Sequence, residues 1–416
     1  MSEDRGRNGR FPNCHARMKN VFRRFRVLLV KLIDRLVLVP ALRLIEPVWK
    51  IRITPLHTAR MGHLTFNTHI HISRREIEGP EPRTTRIIFG ADPCNRQLFD
   101  MLKRRIPIVE SRAMSAWFNY DYDYLAGTPF FGFLPGFSTE HREIDHNGAV
   151  LSFTEEEEAK GKALLRDIGI GDNDWFVCFQ ARDPAYQVAR GGPTDEFRHR
   201  DCDIATFLKA ARHIAARGGF AVRYGSVVAR PLGDLGDSRI VDYSTLFRSD
   251  FGDVYLAAKC RFMLGAGTGS ILLPPMFNVP VALTNHVPLR VNPTRRHSLY
   301  IPKLFREAKS GRWLTCREWE ALGMYEHNLV VPYTRWDFPE TYDKEGIELV
   351  NNSEDDILDL ALDMLDRLEG RAPPPEAAEL QAFYKRRFYA HVPGMAAHGP
   401  DIGARFALKY RDILAG

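Results

Sequence analysis

The residues with the most chemical potential in this chain are a glycine-rich turn, three arginines and one histidine. The run Gly265-Ala266-Gly267-Thr268-Gly269-Ser270 follows an apolar stretch and precedes a short helical pattern. Glycine lets backbone approach an anion closely, and a following helix offers N–H groups and the positive end of its dipole. Thr268 and Ser270 add hydroxyl donors. The spacing is neither that of a dinucleotide fingerprint nor that of a Walker loop, so the turn alone reads equally as a tight packing turn. Arg182, Arg200 and Arg223 fall at the carboxyl ends of predicted strands or just before a helix, where ligands bind in open α/β sheets. Arginine grips phosphate bidentately and stays charged. Each one alone also fits an ordinary salt bridge. Together with the turn they compose a diphosphate site.

His63 lies in Arg60-Met61-Gly62-His63, directly after the first predicted strand. Three roles are open to it: general base near neutral pH, phosphate contact, or helix cap. His57, His69 and His71 are near in sequence, but no H-E-x-x-H pattern forms, so no metal is assigned. Asp183, Asp201, Asp250 and Asp253 fall near the arginine edge, and Ser249-Asp250 reads as a helix cap. Asp121-Tyr122-Asp123 has the letters of a metal-binding DxD pair but lies in an aromatic helical stretch and is discounted.

The elements that must hold these residues alternate between strand and helix. Strands are predicted at 51–56, 86–90 and 106–109, with helices ending near Glu78, over 95–105 and over 111–124. A loop over 127–148 follows, then a helix with the capping box Thr154/Glu157. A second series has strands at 175–180, 220–224, 240–242, 261–264 and 280–283. Its helices fall at 204–217, 253–259, 270–277 and 355–368. Such alternation predicts an α/β protein with parallel sheets, arranged as two doubly wound, Rossmann-like domains facing a cleft. The boundaries expected are a disordered basic tail over 1–18, an amphipathic segment over 19–50, an N-terminal acceptor-side domain over 51–160, a C-terminal donor-binding domain over 161–375, and C-terminal helices over 376–416.

With 416 residues, 44% hydrophobic and 26% charged, the chain builds sizeable cores. A net charge of +6 is mild, and no nucleic-acid-reading motif is present. The six cysteines are scattered without metal spacing and read as reduced core residues. Residues 1–31 carry nine Lys/Arg against Glu3 and Asp4. The following Leu/Val/Ile stretch is interrupted by Lys31, Asp34 and Arg35, which fits neither a signal peptide nor a membrane span. A basic amphipathic helix lying on an anionic membrane surface fits best, with Pro40 kinking or ending it; the alternative is a surface helix packed on its domain.

At these residues the chain resembles a family of bacterial surface-polysaccharide glycosyltransferases, GT-B-like in pattern, over roughly Ile51 to Leu368. The resemblance rests on Arg60, Gly62 and His63; on Arg182-Asp183 with Tyr186; on Arg200-Asp201; and on Val222-Arg223-Tyr224-Gly225. It continues through Asp242-Tyr243, Ser249-Asp250-Phe251 with Asp253, the glycine-rich turn, and Pro280–Pro288 with Asn285. More distantly, the strand end at Arg182 is similar to the HxR motif of fucosyltransferase-like enzymes, with Gln180 where that motif has His. The resemblance implies a nucleotide-sugar donor, a lipid-linked or polysaccharide (glycan or glycolipid) acceptor, and metal-independent transfer without a cofactor. The reduced cysteines and the basic amphipathic segment predict a cytoplasmic protein, peripheral on the inner face of the membrane. His63 and Arg182 would be catalytic. Arg200, Arg223, Gly225, Gly267, Thr268, Gly269, Ser270 and Asn285 would bind donor. A nucleotide-sugar epimerase and a non-catalytic scaffold of a polysaccharide assembly complex are the alternatives.

Overall fold

The computed structural model describes residues 14–134, 141–146, 148–195, 197–289, 295–325, 334–389 and 395–416. The expected tail over 1–18 falls largely outside them. The chain divides into two compact units that interleave along the sequence. The first comprises Met1–Leu56, Pro80–Asp92 and Pro107–Leu134; the second comprises His57–Gly79, Pro93–Ile106 and Pro135–Gly416. A single cut near residue 160 therefore does not describe how the chain packs.

In the first unit, β1 (Lys50–Pro55), β2 (Thr84–Gly90) and β3 (Ile108–Glu110) form a parallel sheet in the order β1-β2-β3. On the free edge of β1, the Ile53 amide donates to the Phe130 carbonyl at 2.7 Å, and the Gly132 amide donates to the Ile53 carbonyl at 3.1 Å. Ile53, Phe89, Phe118, Leu125, Phe130 and Phe131 close an aromatic core that also takes Val39 and Leu42 from the N-terminal helical segment. That segment does not stop at Pro40. It runs as an α-helix over Cys14–Ile33, a π-helical stretch over Asp34–Leu38 and an α-helix over Val39–Ile45. The wider π turn stands where a proline ring removes an amide and crowds the preceding turn. Two polar contacts fix it: the Trp117 indole N–H donates to Asp34 at 2.9 Å, and Arg35 forms a bidentate pair with Asp121.

The second unit holds a seven-stranded, all-parallel sheet. Its strands are β4 (Phe176–Gln180), β5 (Phe220–Arg223), β6 (Ile240–Val241), β7 (Met263–Ala266), β8 (Val281–His286) and β9 (Leu299–Pro302). After an antiparallel pair, β10 (Leu304–Glu307) and β11 (Ile347–Val350), the chain returns with β12 (Asp401–Ile402). The order is β12-β9-β8-β7-β4-β5-β6. The sheet thus grows one way from β4 through β5 and β6, then the other way from β7. That reversal makes the gap beyond β4 and β7 the topological switch point, where doubly wound sheets bind ligands. Every residue of β4, β5, β7, β8 and β9 is buried, as expected of a sheet covered on both faces. The C-terminal tail is part of this sheet, because β12 pairs with β9.

The helix Met61–Glu78 belongs to this second unit and is buried from Gly62 through Ser73, apart from the half-buried His63. Its sequence hides that burial, because many of its residues are polar. Thr65 and Thr68 satisfy themselves locally, donating to the Met61 carbonyl at 2.8 Å and to the Leu64 carbonyl at 2.5 Å. The helix expected over 270–277 is instead two 3-10 turns, Ser270–Leu272 and Pro274–Phe277. Consecutive prolines at 274 and 275 remove the amides that an α-helix would need.

Candidate functional site

At the switch point of the second unit lies a cavity of about 350 Å³. Its walls come from the ends of β4 and β7, the loop after β5, the start of helix Met61–Glu78 and the end of β8. Its size falls at the lower end of ordinary small-molecule sites.

The glycine-rich turn forms one wall, and the side chain of Gln180 at the end of β4 organises it. Gln180 Nε2 donates to Thr268 Oγ1 at 2.8 Å, Ser270 Oγ donates to Gln180 Oε1 at 2.7 Å, and the two hydroxyls lie 2.9 Å apart. Gly265 makes room for this amide: a Cβ there would lie 2.5 Å from Gln180 Cγ. Arg200 braces the same turn, with Nη2 donating to the Gly267 carbonyl at 2.6 Å.

The start of helix Met61–Glu78 packs directly on this turn. Its cap residue Arg60 is in the extended region, and no side chain caps the helix. A helix of this length presents amide hydrogens and a partial positive charge at such an end. Arg60, Met61, Gly62 and His63 all line the cavity. The His57 and His63 rings lie 5.2 Å apart. Burial, then His57 and Arg60, push the His63 imidazole below its ordinary range, so it is neutral at pH 7.

Arg182 lines the cavity with Nη1 paired to Asp201 and donating to the Phe197 carbonyl at 3.3 Å. Burial raises the Asp201 carboxyl even though Arg182 opposes it. Behind this pair Lys303 Nζ donates to the Asp201 carbonyl at 3.0 Å, and burial lowers its ammonium to about 8.

The acids on the cavity wall hold local structure. Asp183 accepts from the amides of Ala185 and Ala229 at 2.9 and 3.1 Å. Asp253 accepts from the Tyr243 hydroxyl at 3.0 Å and from Arg248 at 2.9 Å, and burial raises its carboxyl to about 6. Asp337 accepts from the Thr334 amide at 2.6 Å.

Of the sequence-derived candidates, His63, Arg182, Arg200, Gly225, Gly267, Thr268, Gly269 and Ser270 meet at this cavity. Arg223 and Asn285 do not line it. Arg223 is 2% exposed and points into the fold, donating to the Arg230 carbonyl at 2.7 Å and to Asp242 at 3.3 Å. Its place at a strand end was read correctly, but its partner is the loop after β5. Asn285 exchanges hydrogen bonds with Asn352: its amide donates to Asn352 Oδ1 at 2.5 Å, and the Asn352 amide donates to its Oδ1 at 2.8 Å.

Sequence reasoning missed Gln180 as an organiser. It also missed His286, whose imidazole burial and Arg200 push down to about 3, and the apolar wall of Tyr224, Val227 and Val228. The strand-end positions of Gln180 and His286 were the available signal. Among the described residues no group of three His, Cys, Asp or Glu is placed to hold a metal ion.

No protein-family model and no curated protein matches the chain. Among solved structures, the chain is similar to the ADP-heptose LPS heptosyltransferase II of E. coli, at 10% identity over 56% of this chain and 84% of that one, with a TM-score of 0.37. It is also similar to a glycosyl transferase family 9 protein from Veillonella parvula DSM 2008, at 10% identity over 72% and 96%, with a TM-score of 0.38. A third is the iron-containing dodecameric glycosyltransferase TibC from enterotoxigenic E. coli H10407, at 13% identity over 58% and 62%, with a TM-score of 0.33.

Proposed function

We propose that this protein is a GT-B-like glycosyltransferase that takes a nucleotide sugar as donor and a lipid-linked or polysaccharide acceptor, in the synthesis of a bacterial surface glycan. The observation that carries the reading is the meeting of the Gly267–Ser270 turn with the uncapped start of helix Met61–Glu78, flanked by Arg182 and Arg200. This combination suits a diphosphate: backbone amides on two sides, a positive dipole end and two guanidinium groups. Tyr224, Val227 and Val228 offer an apolar wall for the nucleoside.

In this reading the acceptor hydroxyl oxygen bonds to the sugar's anomeric carbon as the bond to the β-phosphate oxygen breaks. The nucleoside diphosphate leaves with the bonding pair, and the arginines and turn amides stabilise the charge it gains. His63, neutral through burial, accepts the acceptor's proton in an inverting displacement. The transfer is metal-independent, and the protein works as a peripheral protein on the inner face of the membrane. A thermal-shift panel of nucleoside diphosphates tests the donor site: saturation at a hundredfold over Kd stabilises by about 2.7 kcal/mol. No shift with any nucleoside diphosphate sinks the reading. Mass spectrometry of products from a nucleotide-sugar library incubated with membrane lipids then identifies the sugar and acceptor.

A further inference from the structure

The N-terminal helical segment leaves most of its apolar side chains in solvent. A surface helix ordinarily buries its apolar stripe and exposes its charges. Here Asp34 is fully buried and Lys31 half-buried on the packed side, whereas Phe25, Leu29, Leu32 and Leu36 stand out in solvent at helical spacing. Twelve of the twenty-two exposed large apolar side chains among the described residues fall between Phe22 and Trp49. The surface extends past the helix, because Leu44, Val48 and Trp49 are 81%, 72% and 46% exposed.

Its charge is one-sided. Between Phe22 and Trp49 the sequence has Arg23, Arg24, Arg26, Lys31, Arg35 and Arg43 against Asp34 and Glu46. Asp34 is 0% exposed and bonded to Trp117, and Glu46 is paired with Arg52. No helix among the described residues is long and apolar enough to cross a membrane. The segment is tied into the first unit by the Asp34–Trp117 bond, the Arg35–Asp121 pair and the burial of Val39 and Leu42. It therefore holds its shape before any partner arrives.

We propose that Phe22–Trp49 is a preformed docking surface for an anionic lipid bilayer, lying in the headgroup plane with its leucines and Trp49 inserted and its arginines on the phosphates. Apolar area inserts into the acyl boundary while Lys and Arg gain from negative headgroups, each by a small increment that falls off with salt. An aqueous protein partner matches the apolar stripe but has no comparable reason to select a basic excess around it. The proposal rests on the membrane-peripheral part of the function above, and it is measurable without any sugar transfer.

The experiment is flotation of the full chain with vesicles of phosphatidylglycerol and phosphatidylcholine, against phosphatidylcholine alone. At low salt the anionic vesicles carry the protein up, with at least a fivefold drop on neutral vesicles or in 0.5 M NaCl. The triple variant Leu29→Glu, Leu32→Glu, Leu36→Glu alters only exposed side chains and loses binding at least tenfold with an unchanged melting temperature. If that variant is unstable, Val37→Glu with Leu44→Glu takes its place. The proposal fails when the parent stays at the bottom of the gradient, when neutral vesicles capture it equally, or when the folded variant floats like the parent. It also fails when the triple variant turns an oligomer into a monomer without the parent binding vesicles, which would make the face an interface between copies.

Discussion

A Cβ placed on Gly269 would lie 2.7 Å from the amide nitrogen of Gly62. The glycine-rich turn and the start of helix Met61–Glu78 therefore touch backbone to backbone, through two residues without side chains. A Cβ on Gly62 would in turn lie 3.2 Å from Gly269 Cα, so both positions are tight. Gly269→Ala is expected to separate the two walls. Overpacking of this kind costs about 1–3 kcal/mol. Nucleoside diphosphate affinity should fall at least tenfold, read by calorimetry beside a melting curve. Parent-like affinity in a folded Gly269→Ala protein would show that the close approach is not part of an anion site.

The buried imidazole of His63 sets a pH expectation. Its proton affinity is lowered, so the neutral form persists below the ordinary imidazole value of about 6.5. As the proposed base it should keep kcat/KM level from neutrality down past that value, with an acid limb only at lower pH. His63→Gln should remove the limb and slow turnover by about 10²–10⁴-fold, the usual worth of a general base. An acid limb centred above pH 7, or a His63→Gln enzyme with parental rates, assigns the proton to another group.

Arg200 and Arg223 should separate binding from folding. Arg200→Ala removes a guanidinium from the cavity wall and the brace on the Gly267 carbonyl. Nucleoside diphosphate affinity is expected to fall by one to two orders of magnitude, about 1.4–2.8 kcal/mol, which is the scale of a charge-assisted bond. Arg223→Met instead leaves the buried Asp242 carboxylate with the Leu232 amide but no cation, a change worth about 3–5 kcal/mol of stability. Below its melting temperature, that variant should still bind nucleotide normally. Calorimetry and denaturant titration on both variants decide it; equal binding losses would contradict the placement of Arg223.

Acid should unfold the second unit steeply. Burial lowers His69, His199 and His286 to about 3, well under their unfolded values. Below about pH 6.5 the unfolded chain binds protons that these neutral rings refuse, so stability is present above that pH and lost as pH falls toward the folded values. Three such groups give a limiting slope of about 4 kcal/mol per pH unit. Asp253 works the other way: its folded carboxyl takes a proton near 6, ahead of its unfolded value. Between about pH 6 and 4 it offsets one histidine, while the lowered His57, His63 and His297 add to the loss. Urea midpoints from pH 7.5 to 4.5 measure the slope; a flat line would mean these rings are already charged or exposed.

Much of the sheet was legible, because β4, β5, β7 and β8 are short apolar runs ending in glycine or polar residues, which is what a strand buried on both faces looks like. The cavity followed from those strand ends. The two misplaced candidates share a cause: Arg223 and Asn285 occupy the right strand ends, but sequence shows position along a strand and not which way a loop folds back over it. Arg230 and Asn352, the groups that claim them, lie 7 and 67 residues away. The helix Met61–Glu78, expected by chain order in a domain over 51–160, packs in the second unit, and its polar threonines and histidines disguise how buried it is. Gln180 was noticed only as a departure from a motif, since its two hydroxyl partners sit 88 and 90 residues downstream.

The interleaving of the two units limits how this chain can be divided. A gene fragment beginning near residue 161 would encode every strand of the seven-stranded sheet yet lack Met61–Glu78, the segment that seats against Gly269. The fragment would expose the bed of that helix to water and lack one wall of the cavity. Inheritance by recombination faces the same barrier: an exchange of the C-terminal half alone would set a glycine turn from one lineage against the Gly62 helix of another. The cavity is therefore a property of the unbroken chain, closed only when both sides of the Gly62–Gly269 seam are present.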